Sequence, residues 1–354
     1  MRRIAALTSG RYVPSSRYRV RQHIPGLRQL GIDVVEYCPA ISQHAKPFGG
    51  WVTPAGRTPL PLAAVQGVLN GVLRVPGILG SWACQATWIE RRFLPGFDWS
   101  VEVTRGPRIL DADDAIWLEG RGAQSGVPFM ARHVDAVIAG NDFLANWFAK
   151  YCKRIHVVPT GVDCERYAPP PTGQPRGEKF TVGWIGTSSN FRYLALVYPA
   201  LAQFLRRHDD TRFLVVADRP PETTSLPSEQ VEFRRWSPDT EPHDLQAFDV
   251  GIMPLDDTEW TRGKCSFKML QYMATGTAVI ASPVGMNRDI LRLGEFGLAP
   301  IGDSDWYDAL ELLYANAARR AKLGARGREI AKSAFGLDLI SRQLGEIFAS
   351  LLGP

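Results

Sequence analysis

The sequence predicts an α/β protein of two doubly wound domains, each a parallel sheet wrapped by helices, and three observations carry that expectation. The chain has 354 residues, about twice the usual domain size of roughly 150. Its opening residues read strand, loop, helix, strand, the βαβ unit that implies a parallel sheet. A second alternation of strands and helices follows three consecutive prolines at 169–171. With 45% hydrophobic and 22% charged residues, the composition is that of a packed globular chain and excludes a disordered, collagenous or coiled-coil one.

Taken in order, residues 3–8 form a short apolar run that enters the loop SGRYVPSS, a helical pattern covers 16–31, and the valine-rich stretch 33–37 reads as a second strand. Further strands are expected at 101–104, 108–111, 136–139 and 155–158, with a helix at 143–151. The most apolar region, 60–83, is interrupted by Gln66, Asn70, Arg74 and Pro76, so it fails as a membrane span and reads as buried helix. Peripheral contact with a membrane stays open. After the proline-rich stretch, strands are expected at 180–185, 213–217, 231–235, 250–253 and 278–281, and helices at 193–207, 264–275 and 337–352.

Charge narrows the function. Forty-one Lys and Arg against thirty-six Asp and Glu leave +5, a mild bias toward anions. The basic residues are scattered in small groups rather than gathered in a stripe, which argues against nucleic acid and for a phosphorylated small molecule. The five cysteines (Cys38, Cys84, Cys152, Cys164, Cys265) form no C-x-x-C pair, and the apolar stretch at the amino terminus is too short for a signal-peptide core. Both point to a reducing cytoplasm. Six dispersed histidines lack metal spacing, G-x-G-x-x-G is absent, and RGKC lacks the upstream glycine and the Ser/Thr of a P-loop. Asp111-Ala112-Asp113 matches the D-x-D triplet that holds a metal through a diphosphate in single-sheet enzymes, but the two-domain alternation speaks against that class.

Doubly wound sheets bind ligands at the carboxyl ends of their strands, which places the expected site in an interdomain cleft. The densest candidate is DDTEWTRGKCSFKMLQYMATG, 256–276. If its helix starts near Lys264, then Lys264, Lys268 and Gln271 share a polar face, while Phe267, Leu270, Met273 and Ala274 face the core. Arg262 and Lys264 at a helix amino terminus would favour a phosphate doubly.

The run LQYMATGTAVIASPVG (270–285) resembles the donor-site segment of retaining glycosyltransferases of family 4. VVPTGVDCERYAP (157–169) is similar to the interdomain signature of that family, and VGWIGTSSNFRYL (182–194) to the first strand, loop and helix of its nucleotide-binding domain. The resemblance spans most of the chain. It implies a GT-B fold: an amino-terminal acceptor-side Rossmann-like domain (1–168), a linker (169–178), a nucleotide-sugar-binding domain (179–335), and a final helix (336–354) returning toward the first domain. The family usually carries two glutamates eight positions apart, where this chain has Gly263 and Gln271.

By resemblance, Ser15, Ser16 and Arg17 of the first loop face the donor phosphates with Gly186, Thr187 and Ser188 of the second. Gln271 meets the ribose, and Asp113 and Asp114 in LDADDAIW bind acceptor hydroxyls. Lys264, Lys268 and Arg262 are the candidates to neutralise the leaving diphosphate, so that neither a metal nor another cofactor is required. The activity expected is transfer of a sugar from a nucleotide-diphosphate sugar to an acceptor hydroxyl, with retention and in the cytoplasm. The alternatives are a nucleotide-sugar epimerase on the same fold and a GT-B-like binding protein without turnover.

Overall fold

The computed structural model describes residues 1–42, 60–95, 98–120, 122–171 and 177–353. It divides into two compact units, Met1–Gly161 with Gly263–Cys265 and Leu337–Pro354, and Val162–Arg262 with Ser266–Gly336. Half of the linker expected at 169–178, residues 172–176, lies outside the described residues.

In the first unit six strands, β1 (Arg2–Leu7), β2 (Ile32–Tyr37), β3 (Ala86–Glu90), β4 (Arg108–Ala112), β5 (Ala136–Ala139) and β6 (Ile155–Val157), form one parallel sheet in the order 2-1-3-4-5-6. Its helices are α1 (Ile24–Gln29), α2 (Leu60–Ser81), α3 (Ala123–Arg132), α4 (Asp142–Phe148) and the carboxyl-terminal helix Leu337–Leu352. Every residue of β3 and β5 is buried, as central strands covered on both faces must be. Ile4, Ala6, Trp88, Ile109 and Ile138 from the sheet pack with Val20, Leu27, Ile340, Leu344 and Phe348. Asn141 caps α4, its Oδ1 accepting the Leu144 N–H at 2.9 Å.

The second unit repeats the design. Strands β7 (Phe180–Ile185), β8 (Thr211–Ala217), β9 (Val231–Arg235), β10 (Val250–Met253), β11 (Ala278–Ala281) and β12 (Gly297–Leu298) are parallel in the order 12-11-10-7-8-9. Helices α5 (Phe191–Leu194), α6 (Tyr198–Arg207), α7 (Glu241–Gln246), α8 (Glu259–Arg262), α9 (Phe267–Ala274), α10 (Met286–Leu291), α11 (Asp303–Ala315) and α12 (Ala317–Phe335) cover it. Val182, Trp184, Phe213, Val215 and Ile252 meet Leu201, Phe204, Leu205 and Leu310 in its core.

The doubly wound fold agrees with the sequence, but five local expectations need correction. Residues 98–103 form a short 3-10 helix, not a strand, and the strand in that part of the sheet is β3. The helix expected at 16–31 is broken into a π turn, a 3-10 turn and α1, because Pro25 has no N–H to continue the ladder. That at 193–207 is likewise split, into the end of α5, a 3-10 turn and α6. Helix α2 is not buried throughout, since Val68, Val72 and Leu79 are exposed. Finally, α9 starts at Phe267, after Ser266 in a left-handed conformation (φ 53°), so neither Arg262 nor Lys264 lies on it and the polar face shared by Lys264, Lys268 and Gln271 does not form.

Candidate functional site

In an open parallel sheet the ligand crevice lies at the carboxyl ends of the strands where the winding reverses. In the first unit that place is between β1, from which the chain moves outward to β2, and β3, on the other side. Residues after β1 meet the end of β3 there. Glu90 Oε2 accepts the Ser9 N–H and the Ser16 hydroxyl, both at 2.8 Å, whereas its Oε1 is buried without a partner. Ser15 is buried too, its Oγ unpartnered. Both serines expected to face phosphates are therefore turned inward, and Arg17 is half-buried with its guanidinium 4.6 Å from the Tyr18 ring centroid.

Next along the sheet, buried charges are paired. Arg19 Nε donates to Asp111 Oδ1 at 2.8 Å and its Nη1 to the Val158 carbonyl at 2.9 Å; Trp88 Nε1 also donates to Asp111. Arg91, with φ 61°, holds a backbone conformation that costs a non-glycine residue energy, and it turns its guanidinium onto three carboxylates. Its Nη1 lies 2.7 Å from Asp114 and 3.1 Å from Asp113, and its Nη2 pairs with Glu119. Burial pushes the Asp113 carboxyl up to about 7, with Arg91 opposing the shift and Asp114 adding to it. The two carboxylates of the D-x-D triplet thus face different arginines. Among the described residues no group of three His, Cys, Asp or Glu side chains could hold a metal ion.

The segment Gly263–Cys265 completes this end of the first unit. Asn141 Nδ2 donates to the carbonyls of Gly263 and Lys264, each at 3.2 Å, so one side chain caps α4 and fixes the segment. A Cβ on Gly140 would lie 2.1 Å from the Cys265 sulfur. That thiol is buried, which raises its pKa well above the ordinary value and keeps it protonated. Lys264 Nζ stands 3.9 Å from Asp114 Oδ1. Lys264, Asp113 and Asp114 are thus brought together, with Arg91 between the aspartates.

In the second unit the winding reverses between β7 and β10. Gly186 follows β7, and a Cβ there would meet Lys268 Cε at 2.5 Å and the Trp184 ring at 2.7 Å; Lys268 Nζ lies 5.8 Å from the centroid of that ring. A side chain at this point would press on the buried Trp184 ring and displace the end of the lysine. Asp218, just after β8, orders the loop by accepting the Ser188 N–H at 2.6 Å and its hydroxyl at 2.7 Å, and Thr187 Oγ1 shares a hydrogen bond with Ser189 at 2.9 Å. Gly186, Thr187, Ser188 and Lys268 are therefore neighbours.

Gln271 is buried and its amide donates to Glu241 Oε1 at 3.2 Å, where Trp236 Nε1 also donates, while Tyr167 donates to Oε2 at 2.8 Å. Arg262 ends α8 and grips Asp257 through Nε and Nη2, at 2.6 and 3.2 Å. Ser266 donates its hydroxyl to Asn287 Oδ1 at 2.7 Å. The sequence reading missed Glu90, Arg91, Asn141, Asp218, Glu241 and Asn287. Glu241 reads as an ordinary acid in the first turn of a helix, and ERR at 90–92 reads as surface.

Residues 179–316 match the family model of group 1 glycosyl transferases. The whole chain has the GT-B fold, as solved structures show. Sucrose-phosphate synthase from Thermosynechococcus elongatus superposes with a TM-score of 0.73 over 99% of both chains at 16% identity. The Anabaena protein HepE, in complex with UDP-glucose, gives 0.72 over 99% of this chain and 100% of its own at 16% identity. A glycosyltransferase from Rickettsia africae gives 0.70 over 99% and 98% at 13% identity. No curated protein matches the chain by sequence.

Proposed function

We propose that this protein transfers a sugar from a nucleotide-diphosphate sugar to an acceptor hydroxyl, with retention of anomeric configuration. The observation that carries the reading is Lys268 held against Gly186 and Trp184 at the winding reversal of the second sheet, inside the residues that match the family model. A cation fixed there acts on the charge that grows on a departing diphosphate, which is where such a reaction gains most of its rate. In the loop Gly186–Thr187–Ser188 the Gly186 and Ser188 N–H groups are held by the Val216 carbonyl and Asp218, which leaves the Thr187 N–H as the backbone donor for the same phosphates. In the first unit Asp113 and Asp114, oriented by Arg91 and near Lys264, are the groups for acceptor hydroxyls. With lysine as the electrostatic partner the reaction uses no metal cofactor, and its setting is the cytoplasm.

The test is release of free nucleoside diphosphate from a panel of nucleotide sugars with candidate acceptors, in the presence of a chelator. Turnover should survive chelation, and Lys268→Ala should lower kcat at least tenfold while the melting temperature and the donor KM change little. Equal loss of stability and activity would make Lys268 structural. Conversion of the sugar to its epimer without nucleotide release would replace transfer by epimerisation, and donor binding without either product would leave a binding protein.

A further inference from the structure

Helix α2 is inside out. Its side toward the first unit carries Asn70, Arg74, Gly77 and Ser81, all buried, with Arg74 donating to the carbonyls of Thr8 at 2.7 Å and Phe93 at 3.0 Å. Gly77 and Gly80 let the helix sit tightly on the sheet, since a Cβ would come within 2.5 Å of Leu7 and 2.0 Å of Tyr37. The opposite side is apolar and open: Val68 is 65% exposed, Val72 62% and Leu79 67%, in line with the exposed Val65 and Val75. The spacing 65, 68, 72, 75, 79 runs along one face and continues to Trp82, 58% exposed, for about 26 Å at 1.5 Å per residue. A helix on the surface of a water-soluble domain is expected to have the reverse polarity.

We infer that this face of α2 docks the first unit on a bilayer containing anionic lipids. Arg74, which is buried, is the only ionisable residue between Leu60 and Ser81, so the outward face carries no charge to hold it in water. At its end the Trp82 indole N–H is satisfied by the Val103 carbonyl at 3.0 Å, and the Arg105 guanidinium stands 5.9 Å from the Trp82 ring centroid. Val103 and Trp99, also exposed, extend the patch. An apolar stripe bordered by tryptophan and arginine matches the layered chemistry of a membrane interface, acyl chains first and then anionic headgroups. A second copy of the chain suits the face less well. The alternating three- and four-residue spacing could seat a helix, but Pro76 interrupts the seam, and its flanks carry Leu69, Gly71, Ile78 and Ala83 where paired helices place register-setting charges. The inference does not depend on the activity proposed above.

Co-sedimentation with mixed phosphatidylglycerol–phosphatidylcholine vesicles, and with phosphatidylcholine alone, tests it. The wild-type chain should pellet with the mixed vesicles and much less with the neutral ones. Val72→Glu with Leu79→Glu should reduce the bound fraction about tenfold, and Arg105→Glu several-fold. Should the double variant melt early, quenching of wild-type tryptophan fluorescence by brominated lipid gives an independent reading. No binding by the wild type, no quenching, or equal binding by a folded double variant overturns the inference. So does a dimer in sedimentation velocity that the same substitutions dissociate.

Discussion

A methyl group added at Gly263 would lie 2.8 Å from the Ala115 nitrogen and 2.9 Å from the Ala115 Cβ, closer than side-chain carbons approach backbone. The residue at this position is therefore fixed by packing at the end of the first sheet. Gly263→Ala should lower stability by about 1–3 kcal/mol, the usual cost of overpacking, and Gly263→Glu by more. Urea unfolding measures this. A neutral Gly263→Ala would show that the segment holding Lys264 beside Asp114 is not seated as described. Nothing in the sequence betrays such a contact, because Ala115 and Gly263 are remote along the chain, and a glycine before a lysine reads equally well as a loop.

Helix α9 shows how an element can be recognised while its role shifts. Its apolar residues were legible at helical spacing, but its start was not, since the left-handed backbone of Ser266 breaks a pattern that otherwise continues back to Lys264. The displaced start leaves Lys268 beside Gly186 and turns Gln271 inward onto Glu241. Gln271→Ala should thus cost about 1–2 kcal/mol, because a buried carboxylate loses a donor. Calorimetry with the nucleoside diphosphate separates this from a ligand role: affinity equal to wild type would take Gln271 out of the donor site. Strand β3 escaped for the opposite reason. Its end, Glu90, is followed by Arg91 and Arg92, charges that mark a surface segment unless each finds a partner, as they do in Ser9, Asp113, Asp114 and Asp98. Only the tertiary fold supplies those partners.

At the scale of the molecule the two sheets were readable because central parallel strands are near-continuous apolar runs with helices between them. Strand order and the winding reversals that position the site are properties of topology and leave no local trace. One buried contact between distant parts of the chain gives a pH test. His23 Nδ1 and Ser341 Oγ share a hydrogen bond of 2.9 Å, and burial, with Arg19 nearby, lowers the histidine to about 3. An unfolded chain takes up that proton near 6.5 and the folded one does not, so acid destabilises the fold progressively from about 6.5 down to 3. Asp113 pulls the other way: raised to about 7 in the fold, it favours the folded state as pH drops from there toward 4. The difference in melting temperature between wild type and His23→Gln isolates the histidine. His23→Gln should gain on wild type as pH falls from 7 to 5, and a constant difference would mean that His23 takes up its proton as readily in the fold as in the unfolded chain.

The chain leaves the first unit at Gly161, gives it the short segment Gly263–Cys265, and returns with Leu337–Pro354, whose Ile340, Leu344, Ile347 and Phe348 belong to that unit's core. During synthesis the core of the first unit, Ile4, Leu27 and Trp88 included, therefore stays incomplete until residues 337–352 have left the ribosome. The segment Val162–Arg262 emerges and begins to fold in that interval, so the unit begun first is finished last. A nascent chain stalled before Leu337 would present an open apolar sheet face, a natural substrate for chaperones and for proteases, and Trp88 would meet Phe348, its ring neighbour at 5.0 Å, only near the end of translation.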